Sequence, residues 1–392
     1  MKRFLLLGAA VLLAACASDE TIEPPAELVE FRQTATFEQA WSAGIGDLEP
    51  DLRLGLVPAS DGENVYVADY DGTVHAFRLA DGETVWQHET GEFTLWGDSG
   101  ALKFSAGPAV RDGLVVTGSI NGEVLALDAA TGERRWLASV EGEMLAQPLI
   151  TSGLVVVRTT DGRVIALDAA TGAERWDTVR QVPNLTIRGL AAPTTNERYI
   201  FTGFDNGHVA ALAIDDGGMV WETAVAKPAG SSELDAIVDV DGDLVTFDSE
   251  LYVTSHNGDL AGLAVESGEI IWRRELSSVL APAVSWGTVF VTDINSEVHA
   301  FDRLSGSSEW TQDGLRARYL TAPAVFGDLV VVGDFEGYLH FLDITSGEMR
   351  ARIEHGGEPI QAQPLPVGDL LVVLSADGEL AAYRRTDLVA DE

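Results

Sequence analysis

From residue 65 to residue 385 the chain is written in short apolar runs rich in Val, Ile and Leu, each cut off by a tight polar turn. The first unit is "VYVADYDGTVHAFRLADGETVW", Val65 to Trp86. It has a β-branched run, a two-residue turn at Asp71-Gly72, a second run, and a Gly-containing turn ahead of an aromatic residue. Asp-Gly and Asn-Gly pairs supply the positive φ angles that a two-residue hairpin demands, so each unit predicts paired antiparallel strands. Corresponding turns fall at Asn121-Gly122, Asp161-Gly162, Asn206-Gly207, Asn257-Gly258, Asn295-Ser296, Glu336-Gly337 and Asp377-Gly378, which makes eight units. From Gly72 to Gly378 is 306 residues over seven intervals, a mean of about 44. That period suits a four-stranded propeller blade, whereas helical repeats would carry a 3.6-residue pattern.

A second landmark keeps step with the first. Gly82, Gly132, Gly172, Gly217, Gly268 and Gly306 each precede a tryptophan by four residues: Trp86, Trp136, Trp176, Trp221, Trp272 and Trp310. One large flat ring per blade predicts wedges between blades, each burying roughly 150–250 Å². The seventh unit keeps Gly347 but has Ala351 in the ring position, and the eighth, "LLVVLSADGELAAYRR", stops before its last strand. The orphan segment "FEQAWSAG", Phe37 to Gly44, carries Trp41 and belongs to no unit. Pairing it with the final hairpin closes the ring and leaves no sheet edge exposed. The expectation is therefore an all-β fold, an eight-bladed β-propeller of four-stranded antiparallel blades, completed by an N-terminal strand.

The units "ALDAATGERRW" (126–136) and "ALDAATGAERW" (166–176) share the pattern A-x-D-x-x-T-G-x-x-x-W. This resembles the docking repeat of quinone-dependent dehydrogenase propellers. Such an enzyme, as the resemblance implies, would need an axial pocket, a calcium ion, an aspartate base and typically a vicinal cysteine pair over the quinone. Only one cysteine is present, and calcium ligands cannot be assembled from the loops. The repeat reads as scaffold without cofactor, with a PQQ-dependent dehydrogenase-like enzyme as the alternative. His75, His299 and His340 occupy matching strand positions in three different blades, so their recurrence follows the repeat and requires no metal. There is no G-x-S-x-G elbow, H-E-x-x-H pair or phosphate loop.

Charge and the cysteine add the compartment. A formal charge of −37 makes nucleic acid an unlikely partner, since it repels phosphate backbones. Met1-Lys2-Arg3 followed by the apolar Phe4 to Leu13 is too short to span a bilayer as a mature helix. It ends in Leu13-Ala14-Ala15-Cys16, which looks like the lipobox of bacterial lipoproteins. Residues 1–15 are thus expected to be a signal peptide, 16–34 an acylated cysteine and flexible tether containing Pro24-Pro25, and 35–392 the propeller. Ala17 after the cysteine, by resemblance to enterobacterial sorting, directs the chain to the outer membrane, facing the periplasm.

Function in a propeller is expected in its loops. "RQVPNLTIRGLAAPTT" (180–195) and "KPAGSSELDAIVDVDGD" (227–243) are longer and less repetitive than their counterparts and flank the same blade; "GEFTLWGDSGALKFS" (91–105) carries Trp96 outside the docking position. Asp239, Asp241, Asp243 and Glu250 match positions 1, 3, 5 and 12 of an EF-hand loop, but Leu244 replaces its glycine and a strand follows. The acidic stretch is expected to be an exposed charged loop, poised for basic groups.

Over the whole chain the sequence resembles the BamB family of lipoproteins in the outer-membrane β-barrel assembly machinery. The most specific segments are "VPNLTIRGLAAPTT", "SSELDAIVDVD" and "LTAPAVFGDLVVVGDFEGYLHFLD". The resemblance implies a non-enzymatic subunit that docks on the periplasmic POTRA domains of the BamA barrel protein. It places that contact on Leu185, Ile187 and Arg188 in the first loop and on Asp239 and Asp241 in the second. Unfolded outer-membrane protein clients are a further candidate partner. The chain departs from the family pattern in its acidity and in Ile187, where leucine is usual.

Overall fold

The computed structural model describes residues 23–387, apart from 47, 50, 51, 53, 95, 96, 181–190 and 227–237, and without the side chains of 92–99. Eight antiparallel blades follow one another around a ring. Blades 1 to 7 run from Ala59–Ser60 to Thr84–Glu89, from Phe104–Arg111 to Arg134–Ser139, from Leu149–Thr151 to Glu174–Val179, from Thr194–Thr195 to Met219–Ala224, from Val245–Phe247 to Ile270–Glu275, from Ala283–Val284 to Ser308–Gln312, and from Ala324–Phe326 to Met349–Glu354. In each, strands pair in chain order, the first innermost. Blade 2 is broadened by Gly55–Leu56, which pairs in parallel with its inner strand.

Blade 8 takes its first three strands from Leu365–Val367, Leu370–Leu374 and Glu379–Arg385. Phe37–Gly44 supplies the fourth, running antiparallel with Phe37 opposite Arg385 and Gly44 opposite Glu379. The two ends of the chain thus share one sheet, as the orphan strand predicted.

Burial along each blade explains the sequence pattern. The second and third strands are buried on both faces, because each blade is sandwiched between two others; Thr73–Arg78 and Arg163–Asp168 are examples. In the outermost strands of blades 1 to 3 one side chain in six is buried, and that side chain is the tryptophan.

The docking repeat works between blades. The indole N–H of Trp41 donates to Leu79 O of blade 1 at 2.7 Å, Trp86 to Ala129 O at 2.9 Å, and Trp136 to Ala169 O at 2.9 Å. Trp176, Trp221, Trp272 and Trp310 do the same to Ile214, Val265, Arg303 and Ile344. Each ring lies on the turn glycine of the following blade: a Cβ at Gly132 would sit 2.6 Å from Trp86, and one at Gly217 2.5 Å from Trp176. The glycine thus leaves room for the ring and, at φ +70° or +67°, also shapes the turn. The Asp of the repeat caps that turn, Asp128 accepting from Ala130 N and Thr131 N at 3.0 Å each. At the blade 7–8 junction, where Ala351 stands, Phe37 stacks on Phe341 with centroids 3.9 Å apart.

One expectation is corrected. Residues 23–34 do not hang free as a tether. Glu23 pairs with Arg316 at 3.1 Å, Arg318 donates to Ala26 O at 3.0 Å, and Thr34 N donates to Arg350 O at 2.8 Å. Leu28 packs on the core between blades 6 and 7, and Arg352 covers the Phe31 ring at 5.2 Å. The segment is strapped over blades 6 and 7 because those blades offer arginines and carbonyls that an extended chain can satisfy. The signal peptide and Cys16 lie outside the described residues.

Candidate functional site

Strand alternation puts every connection between blades on the same face as the Asx-Gly turns. The two irregular loops therefore leave from one face, on either side of blade 4. Leu185, Ile187 and Arg188 lie outside the described residues, as does Trp96. The ends of both loops are described, and they meet: Ala192 N donates to the Asp243 carboxylate at 2.6 Å. A single carboxylate thus ties the end of the first loop to the end of the second.

Asp239 and Asp241 are not the exposed rim that the sequence suggested. They are 0% and 4% exposed. The segment 238–244 is drawn inward because its alternate residues are apolar: Val238, Val240 and Leu244 are buried, and Val240 packs where a Cβ on Gly203 would stand 2.4 Å away. The carboxylates are carried inward with them, Asp239 reinforced by His256 N donating to its backbone oxygen at 2.8 Å. Nor does the EF-hand spacing assemble a site, since Glu250 sits on a strand and holds Arg303 at 2.8 Å.

Beside these acids is a buried ion pair that sequence reading missed, Arg158 with Asp205, each side chain 2% exposed. The signal was available: Arg158 ends the apolar run "LVVVR", a strand buried on both faces. Neither carboxylate oxygen of Asp241 has a hydrogen-bond partner among the described residues. Burial, then the charges of Asp239 and Asp205, push its carboxyl up to about 8, and Arg158 only partly offsets this. Asp243 is also raised by burial, against the Ala192 N–H and Arg158.

A pH dependence follows. Because the folded pKa of Asp241 lies above its unfolded value, the stability associated with its protonated form is intact below about 4 and drains away as pH rises towards about 8. Asp241→Asn is expected to gain on the wild type in thermal unfolding as pH rises across that window, then to level off. A melting-temperature difference independent of pH would contradict it.

The three matched histidines each bind the turn aspartate of their own blade: His75 with Asp69 at 3.3 Å, His299 with Asp293 at 3.3 Å, His340 with Asp334 at 2.8 Å. Asp293, Glu297 and His299 bring ligand atoms within 4.8 Å. Asp293 is already occupied by Asn295 N and Glu297 N, and Glu297 by Arg316.

Fold and blade docking define an eight-bladed propeller of the quinoprotein-like repeat class, with its irregular connections gathered on one face. A family model described as outer membrane protein assembly factor BamB matches residues 27–94 and 71–312. The BamB of Xanthomonas campestris pv. campestris is 40% identical over 368 residues, spanning 94% of this chain and 91% of its own. The chain belongs to the BamB family. The crystal structure of BamB from Moraxella catarrhalis is similar at a TM-score of 0.78 with 28% identity, covering 89% of this chain and all of that one. Quinohemoprotein alcohol dehydrogenase from Comamonas testosteroni is similar at 0.67 with 15% identity, covering 89% and 76%, a likeness of fold alone.

Proposed function

We propose that this protein is a non-catalytic scaffold lipoprotein of the outer-membrane β-barrel assembly machinery, anchored through acylated Cys16 and facing the periplasm. Its partner is the set of POTRA domains of BamA, docked on the face that carries the two irregular loops. The observation that carries the reading is the bond from Ala192 N to Asp243, which braces two non-repetitive loops against each other at the flanks of one blade. Fixing these two loop ends relative to each other lowers the entropic cost of engaging both loops in one contact. Leu185 and Ile187 supply the apolar anchor and Arg188 the polar register. Asp239 and Asp241, being buried, lie beneath that face, where the backbone oxygen of Asp239 holds the loop base through His256 N at 2.8 Å.

Pull-down of the full lipoprotein in detergent by the partner's POTRA domains tests this. Arg188→Glu is expected to weaken capture by roughly tenfold or more, as loss and reversal of an interface arginine do, with the melting temperature unchanged. Undiminished capture by that variant would move the interface elsewhere, and no capture of the wild type would remove the role.

A further inference from the structure

The geometry points to a membrane-facing patch: Ile294 and Tyr319, at blades 6 and 7 on the face that carries the connections, rest on a zwitterionic phospholipid surface. The assignment rests on the acylated Cys16 proposed above and adds the side chains that meet the bilayer. The strap decides where that bilayer lies. Seven residue steps separate Cys16 from Glu23, a span of at most about 25 Å for extended chain. Glu23 is held at the blade 6–7 connection by Arg316, and Ala26 by Arg316 O and Arg318. Without the strap, twenty-one steps from Cys16 to Phe37 would allow about 75 Å, and any side of the ring could meet lipid. With it, the anchored lipid stays within the shorter span of Glu23.

The surroundings of Arg316 suit such a surface. Ile294 is 55% exposed and Tyr319 69%. Their segments are clasped together: Ala317 N donates to Asn295 O at 2.9 Å, and Leu320 N to Ser296 Oγ at 3.3 Å. Tyr319 stands at φ +50°, a left-handed conformation that bulky residues rarely adopt, and its ring meets Phe335 edge-on at 6.0 Å. The nearby carboxylates are matched. Glu23 and Glu297 pair with Arg316, Glu336 pairs with Arg318, and Asp293 accepts from Asn295 N and Glu297 N. Two protruding side chains, one of them a tyrosine with a polar tip, fit the headgroup boundary where tyrosine is enriched. The formal charge of −37 selects a zwitterionic surface, because an anionic one repels it. Two such side chains bind weakly alone; the anchor supplies the effective concentration that makes their contact persist. The irregular loops flank blade 4, so a partner docked there uses other residues of the same face.

The full acylated lipoprotein in phosphatidylcholine vesicles tests the assignment. Cys16 is the sole native cysteine and is acylated, so Asn295→Cys, an exposed position beside Ile294, takes a thiol-reactive fluorophore alone. Leu304→Cys, 63% exposed on the opposite face of blade 6, is the comparison. A short-range quencher carried on the lipid headgroup is expected to quench the probe at 295 several-fold more strongly than the probe at 304. Ile294→Ser with Tyr319→Ser, in the Asn295→Cys chain, should remove most of that difference. Both side chains are exposed, so the melting temperature should not move. Equal quenching at 295 and 304 in protein that floats with the vesicles would overturn the assignment. So would undiminished quenching in the doubly substituted chain, since tether length alone would then bring that face to the lipid. Wild type that fails to float removes the anchor, and the assignment with it, so flotation separates the two failures.

Discussion

Trp41→Ala is expected to destabilise the protein by about 3–5 kcal/mol, the usual range for removing a large buried aromatic side chain. The ring is 7% exposed, donates its N–H to Leu79 O at 2.7 Å, and lies against the position that a Cβ on Gly82 would occupy 2.7 Å away. It also stands on the strand from the N-terminal end of the chain that completes blade 8. Its loss therefore weakens the blade 8–blade 1 junction, the seam at which the ring closes, as well as leaving a cavity. Gly82→Ala attacks the same contact from the other side, with a φ of +72° adding backbone strain. The double variant should lose less than the sum of the two single losses, because the alanine methyl fits into space the ring has vacated. Trp286, 83% exposed, provides the comparison, and its replacement by alanine should shift stability by less than about 0.5 kcal/mol. Chemical denaturation of the four variants decides the matter. Equal losses for Trp41→Ala and Trp286→Ala would mean that the seam does not depend on the ring.

The fold was legible because its information is local. Asx-Gly turns, the glycine four residues before a tryptophan, and an orphan strand with the missing tryptophan each sit within a few residues of one another. What spacing could not say is which glycine a ring meets: Trp86 lies on Gly132 of the next blade and not on Gly82 of its own. Long-range placement was opaque for the same reason. Nothing in "EPPAELVEFRQT" announces that Arg316, Arg318, Arg350 and Arg352, some three hundred residues on, would hold it by side chains and carbonyls. The two loops stand out in the sequence as irregular, and the acids of the second were read in the wrong environment. "VDVDGD" resembles a solvated acidic loop until Gly203 is seen to open the space that Val240 fills. Arg158 and Asp205 went unnoticed because the run that Arg158 ends looks like any other apolar strand.

Arg318→Met is expected to cost about 3–5 kcal/mol near neutral pH, the penalty for leaving one partner of a buried pair behind. Arg318 is 3% exposed; its Nε donates to Asp334 at 2.7 Å, another guanidinium nitrogen to Glu336, and Nη1 to Ala26 O at 3.0 Å. Asp334, 0% exposed, keeps only His340 at 2.8 Å as a side-chain donor in the variant. In the wild type, burial raises the Asp334 carboxyl, but the bond and charge of His340, then Tyr338 N–H and Arg318, outweigh it and hold the group below the usual aspartate range. A depressed carboxylate contributes stability above its unfolded pKa and loses it as pH falls through the folded one. Methionine removes part of that depression, so the cost of the substitution should shrink as pH drops below about 4, where the carboxyl takes up its proton in the folded state as well. It should also loosen the strap at Ala26, exposing residues 23–35 to limited proteolysis before the propeller is cut. Unfolding curves at neutral and acid pH, with digestion at neutral pH, test both consequences. A cost that stays constant with pH would show that Arg318 acts through packing on the Phe335 ring, 5.2 Å from its guanidinium, and not through the carboxylate.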